Sequence, residues 1–148
     1  MRPKAAHTGA RSRARELLVQ SLYQLQITGT SETDLLSQFR DSPDYERVDQ
    51  EYFDEALSAI CRNTEKLEES IDQFADRPVS QLDPVERSIL LLGIYELQEK
   101  PDVPFKVVIN ESVNIAKRFG ATDGHKYINA LLDRAVKKLR PDKDSRSS

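Results

Sequence analysis

The segment Phe119–Tyr127, FGATDGHKY, places an acid, an imidazole, an ammonium group and a phenol around two glycines. Such groups do acid–base or nucleophilic chemistry when a partner orients the histidine within hydrogen-bond reach. Asp123 lies two residues before His125, but it stands at the expected N-cap of a helix, where a carboxylate turns back to the first N–H groups. We therefore predict a surface imidazole at His125 and a turn between two helices, not a catalytic site.

The sequence lacks the other patterns that carry catalysis or bind metals and cofactors. It has no glycine-rich dinucleotide loop, no Walker loop and no Gly-x-Ser-x-Gly turn. Cys61 is the single cysteine, and His7 and His125 are the two histidines, which are too few for a Cys/His zinc cluster. We expect no catalysis, no cofactor and no metal.

The composition also bears on the compartment. A single cysteine cannot form an internal disulfide, which favours a reducing compartment. No apolar run approaches the roughly 20 residues of a membrane span. The basic N-terminus has no apolar segment of the kind found in a signal peptide. We expect a cytoplasmic location and no membrane partner.

Positive charge is concentrated at the two ends of the chain, although the net charge is −3. Five Arg or Lys and no acid precede Glu16, and the stretch from about Glu32 to Glu69 is acidic. A further six basic residues follow from Arg134 onward, against Asp142 and Asp144. This distribution favours a polyanion binder with a local binding face. The alternative is a solubilising tail at each end.

Helical periodicity is the main structural signal. Apolar residues from Phe53 to Phe74, with Thr64 completing the pattern, recur at three- and four-residue spacing, which predicts an amphipathic helix of about six turns, either continuous or broken near its end. Asp76-Arg77-Pro78 ends it, because proline cannot continue the helix. Leu82–Glu86 then offers Asp at the N-cap, Pro at N1 and Glu at N3. The helix that follows is apolar on more than one face, so we expect it to be the central one.

Further helix signals lie on either side. A first helix ends near Thr28-Gly29, and a short one follows. Val103-Pro104-Phe105 begins a helix that ends where Gly120 stands in the position of a C′ glycine. A last helix runs from near Asp123 to Leu139, and no strand pattern is present.

These signals predict an all-α bundle of about six or seven helices, in two sub-bundles hinged near Pro78 to Asp83. We expect one helical domain at 11–140. Residues 1–10 are predicted to be a basic, disordered N-terminal tail, and residues 141–148 a disordered polar tail.

Two places combine cations with aromatic rings. Arg11, Arg13 and Arg15 come just before or within the first turns of a helix that also carries Tyr23. Lys126 and Tyr127 come at the start of the last helix, where N–H groups suit a phosphate. Guanidinium groups bind phosphates, and single-stranded bases stack on aromatic rings. Both places are candidate RNA contacts.

The motifs resemble those of the NusB family of transcription antitermination factors. The segment Asp102–Arg134, DVPFKVVINESVNIAKRFGATDGHKYINALLDR, is similar to the family's C-terminal signature. Arg11–Gln24, RSRARELLVQSLYQ, resembles its arginine-rich opening, and Leu82–Leu97, LDPVERSILLLGIYEL, its central helix. The pieces come in the family's order and cover the chain from about Arg11 to Leu139.

The resemblance implies an all-helical protein without catalytic activity. Such a protein binds boxA RNA of nascent ribosomal transcripts together with the ribosomal protein NusE. The pair seeds an antitermination complex on RNA polymerase with other Nus factors. The implied RNA contacts are Arg11, Arg13, Arg15, Tyr23, Asp123, His125, Lys126 and Tyr127. The implied NusE contacts are Glu86, Tyr95, Glu96, Pro104 and Phe105.

Two alternatives to this function stay open. The chain could be a homodimeric helical interaction module, because some members of the family self-associate and would then cover the RNA surface. It could also be a non-catalytic domain related to the helical domain fused to ribosomal RNA cytosine methyltransferases. The catalytic half of such an enzyme needs a cofactor-binding α/β region and a reactive cysteine motif, which the sequence does not contain.

Overall fold

The computed structural model describes the backbone of residues 3–141 and the side chains of residues 9–141. Within these residues every regular element is helical, which confirms the all-α prediction. The chain divides into two compact units, residues 1–63 and 64–148. The α-helices are α1 Pro3–Thr28, α2 Glu32–Arg40, α3 Gln50–Arg62, α4 Thr64–Phe74, α5 Pro84–Glu99, α6 Phe105–Phe119 and α7 Gly124–Leu139, and two 3-10 helices span Pro43–Arg47 and Val79–Gln81.

The first unit packs α1, α2 and α3 around a small apolar core. Gly29 ends α1 with a φ of 69°, a left-handed conformation that glycine adopts without strain. The Ser31 hydroxyl then accepts a hydrogen bond from the backbone N–H of Asp34 and caps α2. Both features agree with the expected helix ends. The fully buried side chains of this unit include Leu18, Leu22, Leu35, Phe53, Leu57 and Ile60.

The predicted six-turn helix from Phe53 to Phe74 is wrong, because the structure breaks it at Asn63 into α3 and α4. The Asn63 side-chain amide donates to the carbonyl of Ala59 at 2.8 Å, and its backbone N–H bonds the carbonyls of Ala59 and Ile60. The boundary between the two units falls here, not near Pro78 to Asp83. The apolar spacing continues across the break, so periodicity alone does not reveal it.

The second unit surrounds α5 with α4, α6 and α7. As predicted, the Asp83 carboxylate caps α5 by accepting from the N–H groups of Val85 and Glu86. Every residue from Ser88 to Leu97 is buried, so α5 is the central helix of this unit. An ion pair between Arg87 and Glu68 links α5 to α4.

The connection between α5 and α6 is held by Arg140, which follows α7 and is 6% exposed. Its guanidinium donates to four backbone carbonyls: Leu97 at 3.0 Å, Val103 at 2.5 Å, Glu96 at 2.9 Å and Lys100 at 2.8 Å. Burial lowers the pKa of Arg140, partly offset by the charges of Glu96 and Asp102. One buried side chain therefore sets the path of the chain into α6.

The division into a 1–10 tail, an 11–140 domain and a 141–148 tail stays a prediction. The backbone of α1 is helical from Pro3, ahead of the expected beginning near Arg11. The side chains of residues 1–8, including His7, and all of residues 142–148 lie outside the described part of the chain.

Candidate nucleic-acid interface

The arginine-rich segment lies within α1, so its side chains project from the interior of a long helix and not from a helix start. The Arg11 guanidinium bonds the Asp49 carboxylate at 3.0 Å and stacks over the Tyr52 ring at 4.1 Å from its centroid. Arg15 is 3% exposed, with its guanidinium 5.8 Å from the same ring. These two cations are thus tied into the packing of the first unit.

Arg13 and Tyr23 differ from Arg11 and Arg15 in their exposure. Arg13 is exposed, and Tyr23 has 42% of its surface open to solvent. Ile27, one turn beyond Tyr23, is 57% exposed. Of the four residues predicted on α1, Arg13 and Tyr23 are the two that are exposed.

The turn before α7 differs in two details from the prediction. Gly120 ends α6 as its C-cap with a φ of −93°, not as a left-handed C′ glycine. Glycine is needed there for space, because a Cβ would lie 2.8 Å from the carbonyl oxygen of Ala116. Asp123 occupies the N-cap of α7, but its side chain makes no capping hydrogen bond.

The Asp123 carboxylate lies near the ammonium group of Lys126 instead of capping the backbone of α7. Its Oδ1 lies 3.5 Å from Nζ of Lys126, and the two side chains are 74% and 73% exposed. An ion pair this exposed contributes little to stability. Lys126 is therefore available to an anion, while His125 beside it is half-buried.

Tyr127 is held by a residue that the sequence analysis did not predict. The guanidinium of Arg77 lies over the Tyr127 ring, 4.5 Å from its centroid. The Tyr127 hydroxyl is buried and, within the described residues, has no hydrogen-bond partner. Arg77 stands 50 residues earlier, in the loop after α4, where the sequence offers only a helix stop. No spacing rule connects two residues so far apart in the chain.

The side chain of Glu86, from the first turn of α5, lies against the start of α7. It is 8% exposed, and a Cβ on Gly124 would lie 2.7 Å from its carboxylate oxygen Oε2. Burial, with the nearby charge of Asp83, raises the pKa of the Glu86 carboxyl, while Arg77 opposes the rise. The structure thus places Glu86 at the N-terminus of α7, beside the predicted RNA contacts and not beside the other predicted protein contacts.

The remaining predicted protein contacts fall into two classes. Tyr95 and Glu96 are 4% and 1% exposed, so their side chains lie inside the second unit. Pro104 is exposed and Phe105 half-buried at the start of α6. Only this second pair presents a surface to another protein, and it directly follows the connection that Arg140 holds.

Metal and membrane sites are not found in the part of the chain that the structure describes. No group of three or more His, Cys, Asp or Glu side chains there is arranged to hold a metal ion. None of the described helices is both long enough and apolar enough to cross a bilayer.

A family model described as "NusB family" matches residues 12–137 of the chain. The chain belongs to the NusB family. It is 42% identical over 132 residues to the transcription antitermination protein NusB of Idiomarina loihiensis, covering 89% of this chain and 95% of that protein. It is 44% identical over 133 residues to NusB of Paraburkholderia phymatum, covering 90% and 92%.

Solved structures agree with this membership. The fold is similar to that of T. maritima NusB, with a TM-score of 0.81, 27% identity and coverage of 91% of this chain and 96% of that one. It is also similar to a chain from the crystal structure of antitermination factors NusB and NusE in complex with dsRNA, with a TM-score of 0.78 and 22% identity over 86% of this chain and 96% of that one. At that identity the second likeness concerns the fold alone.

Proposed function

We propose that the protein is a cytoplasmic antitermination factor. It binds boxA RNA of nascent ribosomal transcripts together with NusE, and the pair seeds an assembly on RNA polymerase with other Nus factors. The observation that carries the proposal is the group of Arg77, Lys126 and Tyr127 in a member of the NusB family. The Arg77 guanidinium, which lies over a ring, and the exposed Lys126 supply the stacking and phosphate contacts that single-stranded RNA needs.

The predicted RNA contacts fall into two groups that differ in exposure. Arg13 and Lys126 are exposed cations suited to phosphates, and Tyr23 is an exposed ring suited to a base. Arg11 and Arg15 stabilise the first unit through Asp49 and Tyr52. We infer that these two arginines position α1 and contribute less to RNA contact than Arg13.

The protein partner is proposed to bind at the start of α6, through Pro104 and Phe105. RNA and NusE then reinforce each other, because each bound partner raises the effective concentration of the other. This mechanism requires no catalytic group, in keeping with relatives that are named antitermination proteins.

The test is the binding of a labelled boxA RNA with and without NusE, compared with a scrambled RNA of equal length. We expect preference for boxA, a gain in affinity on adding NusE, and a decrease in log K with log salt. Equal affinity for both RNAs at physiological salt would refute the boxA assignment. No gain with NusE would refute the partner assignment alone.

Variants on α1 test which arginine contacts RNA. Arg13→Ala should weaken boxA binding and lower the salt slope by about 0.7, the value for one single-strand phosphate, without changing the thermal midpoint. Arg11→Ala should lower the midpoint, because it removes the ion pair with Asp49. Undiminished RNA binding by Arg13→Ala would exclude this phosphate contact.

A homodimer stays a prediction, so self-association must be measured as well. Sedimentation with and without boxA RNA separates the two states. A dimer that dissociates when RNA is added would mean that self-association covers the RNA surface. A monomer at all concentrations would remove the homodimer alternative.

A further inference from the structure

The loop residue Arg77 and the ring of Tyr127 form a stacked pair in the second unit. The guanidinium carbon lies 4.5 Å from the ring centroid, within the range of a cation–π contact. A planar guanidinium in this position covers one face of the ring. A base approaching from that side meets Arg77 before it meets Tyr127.

Arg77 is also accessible. Its side chain is 46% exposed, and its carboxylate neighbour Asp76 lies 3.6 Å away and is itself 73% exposed. So exposed a pair, between adjacent residues, leaves the guanidinium largely available to a ligand. The Arg77 side chain is thus partly open to solvent while its guanidinium carbon lies over the ring.

The Tyr127 side chain, by contrast, is half-buried. Its hydroxyl is buried and has no hydrogen-bond partner in the described part of the chain. One face of the ring lies under Arg77. Lys126, which precedes Tyr127 in the first turn of α7, is a second cation and is 73% exposed.

We propose that Arg77 is an RNA-binding residue and that Tyr127 is the support that orients it. An unpaired base stacks on the outer face of the Arg77 guanidinium, and a neighbouring phosphate is bound by its N–H groups. Tyr127 keeps the guanidinium planar to the base instead of stacking on the base itself. This inference rests on the proposed RNA-binding function and assigns a residue that no sequence motif indicated.

The test is the binding of boxA RNA to the full chain and to variants of the pair, measured by fluorescence polarisation at several salt concentrations. Arg77→Ala should weaken binding by about tenfold, the order of one stacked base, and lower the salt slope by about 0.7. Arg77→Lys should keep the slope, because the charge remains, but should not recover the affinity. The matched control is Arg62→Ala, which removes one positive charge from an exposed side chain on α3.

Combining Tyr127→Leu with Arg77→Ala tests whether Tyr127 acts on RNA binding through Arg77. Tyr127→Phe keeps the ring and removes only the hydroxyl, so it should weaken RNA binding less than Tyr127→Leu does. Tyr127→Leu should weaken binding in the wild type, yet cause little further loss in the Arg77→Ala background. Circular dichroism should show unchanged helicity in each variant.

Three results would overturn the inference. If Arg77→Ala binds boxA RNA as tightly as Arg62→Ala does, Arg77 makes no contact. If Tyr127→Leu weakens binding by the same factor with and without Arg77, the ring contacts the base directly. If the wild type does not bind boxA RNA, the proposed function fails, and this assignment fails with it.

Discussion

Replacing Arg140 by methionine tests whether one side chain sets the path from α5 into α6. Methionine keeps most of the volume and removes all four hydrogen bonds to backbone carbonyls. The carbonyls of Glu96 and Lys100 retain backbone donors, from Lys100 at 3.0 Å and Val103 at 2.9 Å. The substitution therefore acts mainly on the other two carbonyls.

The carbonyls of Leu97 and Val103 depend on Arg140 because neither receives a hydrogen bond from the backbone N–H four residues later. The helical donor for Leu97 would be the N–H of residue 101, but that residue is Pro101. The corresponding donor for Val103 is Val107, whose N–H bonds Pro104 instead. The Arg140 guanidinium serves both carbonyls.

The expected loss of stability follows from these two groups. A buried carbonyl without a donor costs about 1–3 kcal/mol, and relief from burying the Arg140 charge offsets part of the sum. We expect Arg140→Met to lower the free energy of unfolding by about 3 kcal/mol. At about 2–4 °C per kcal/mol for a chain of this size, the midpoint should fall by about 6–12 °C.

The assay is thermal and urea unfolding followed by circular dichroism. Lys137→Met is the matched control, because Lys137 is an exposed cation in the last turn of α7. Removing that charge should cost under about 1 kcal/mol. An Arg140→Met protein within about 1 kcal/mol of this control would refute the reasoning, because the two carbonyls would then have other donors.

Three further perturbations probe the turn before α7. Tyr127→Phe should raise the free energy of unfolding by about 1 kcal/mol, since it removes a buried hydroxyl that has no partner within the described residues; a loss measured by urea unfolding would contradict this. Gly120→Ala should destabilise by about 1–3 kcal/mol, because its Cβ would meet the Ala116 carbonyl at 2.8 Å and the backbone must shift; an unchanged midpoint would show that the turn adapts. Glu86 has a pKa raised above about 4.5 by burial, so the folded state holds its proton more tightly than the unfolded state. Its contribution to stability is full below about pH 4.5 and is lost as pH rises through the folded pKa, so Glu86→Gln should gain stability over the wild type across that window. Parallel pH profiles of the two proteins would contradict the assignment.

Local signals in the sequence were sufficient for most helix ends. Asp83-Pro84 begins α5 as expected, because an N-cap carboxylate and a proline at N1 act within one turn. Gly29 ends α1 for an equally local reason. The break at Asn63 was missed, because an asparagine that bonds back to its own helix leaves the apolar spacing on both sides intact.

The candidate site was predictable only in part. The sequence pointed to Lys126 and Tyr127, and the structure shows the exposed cation and the ring. It could not reveal that Arg15 is buried or that Tyr95 and Glu96 lie inside the second unit, because a helix position does not tell which face a neighbouring helix covers. Asp123 looked like a cap, yet its carboxylate lies near Lys126.

By itself the sequence determined the all-helical class, the order of the helices and membership of the NusB family, because helix periodicity, caps and family motifs are written along the chain. Only the tertiary structure decided that Arg77 stacks on Tyr127, that Glu86 lies against Gly124 and that Arg140 holds the start of α6. Each of these contacts joins residues about 35 to 50 positions apart, and such pairs meet only when packed helices bring distant turns together.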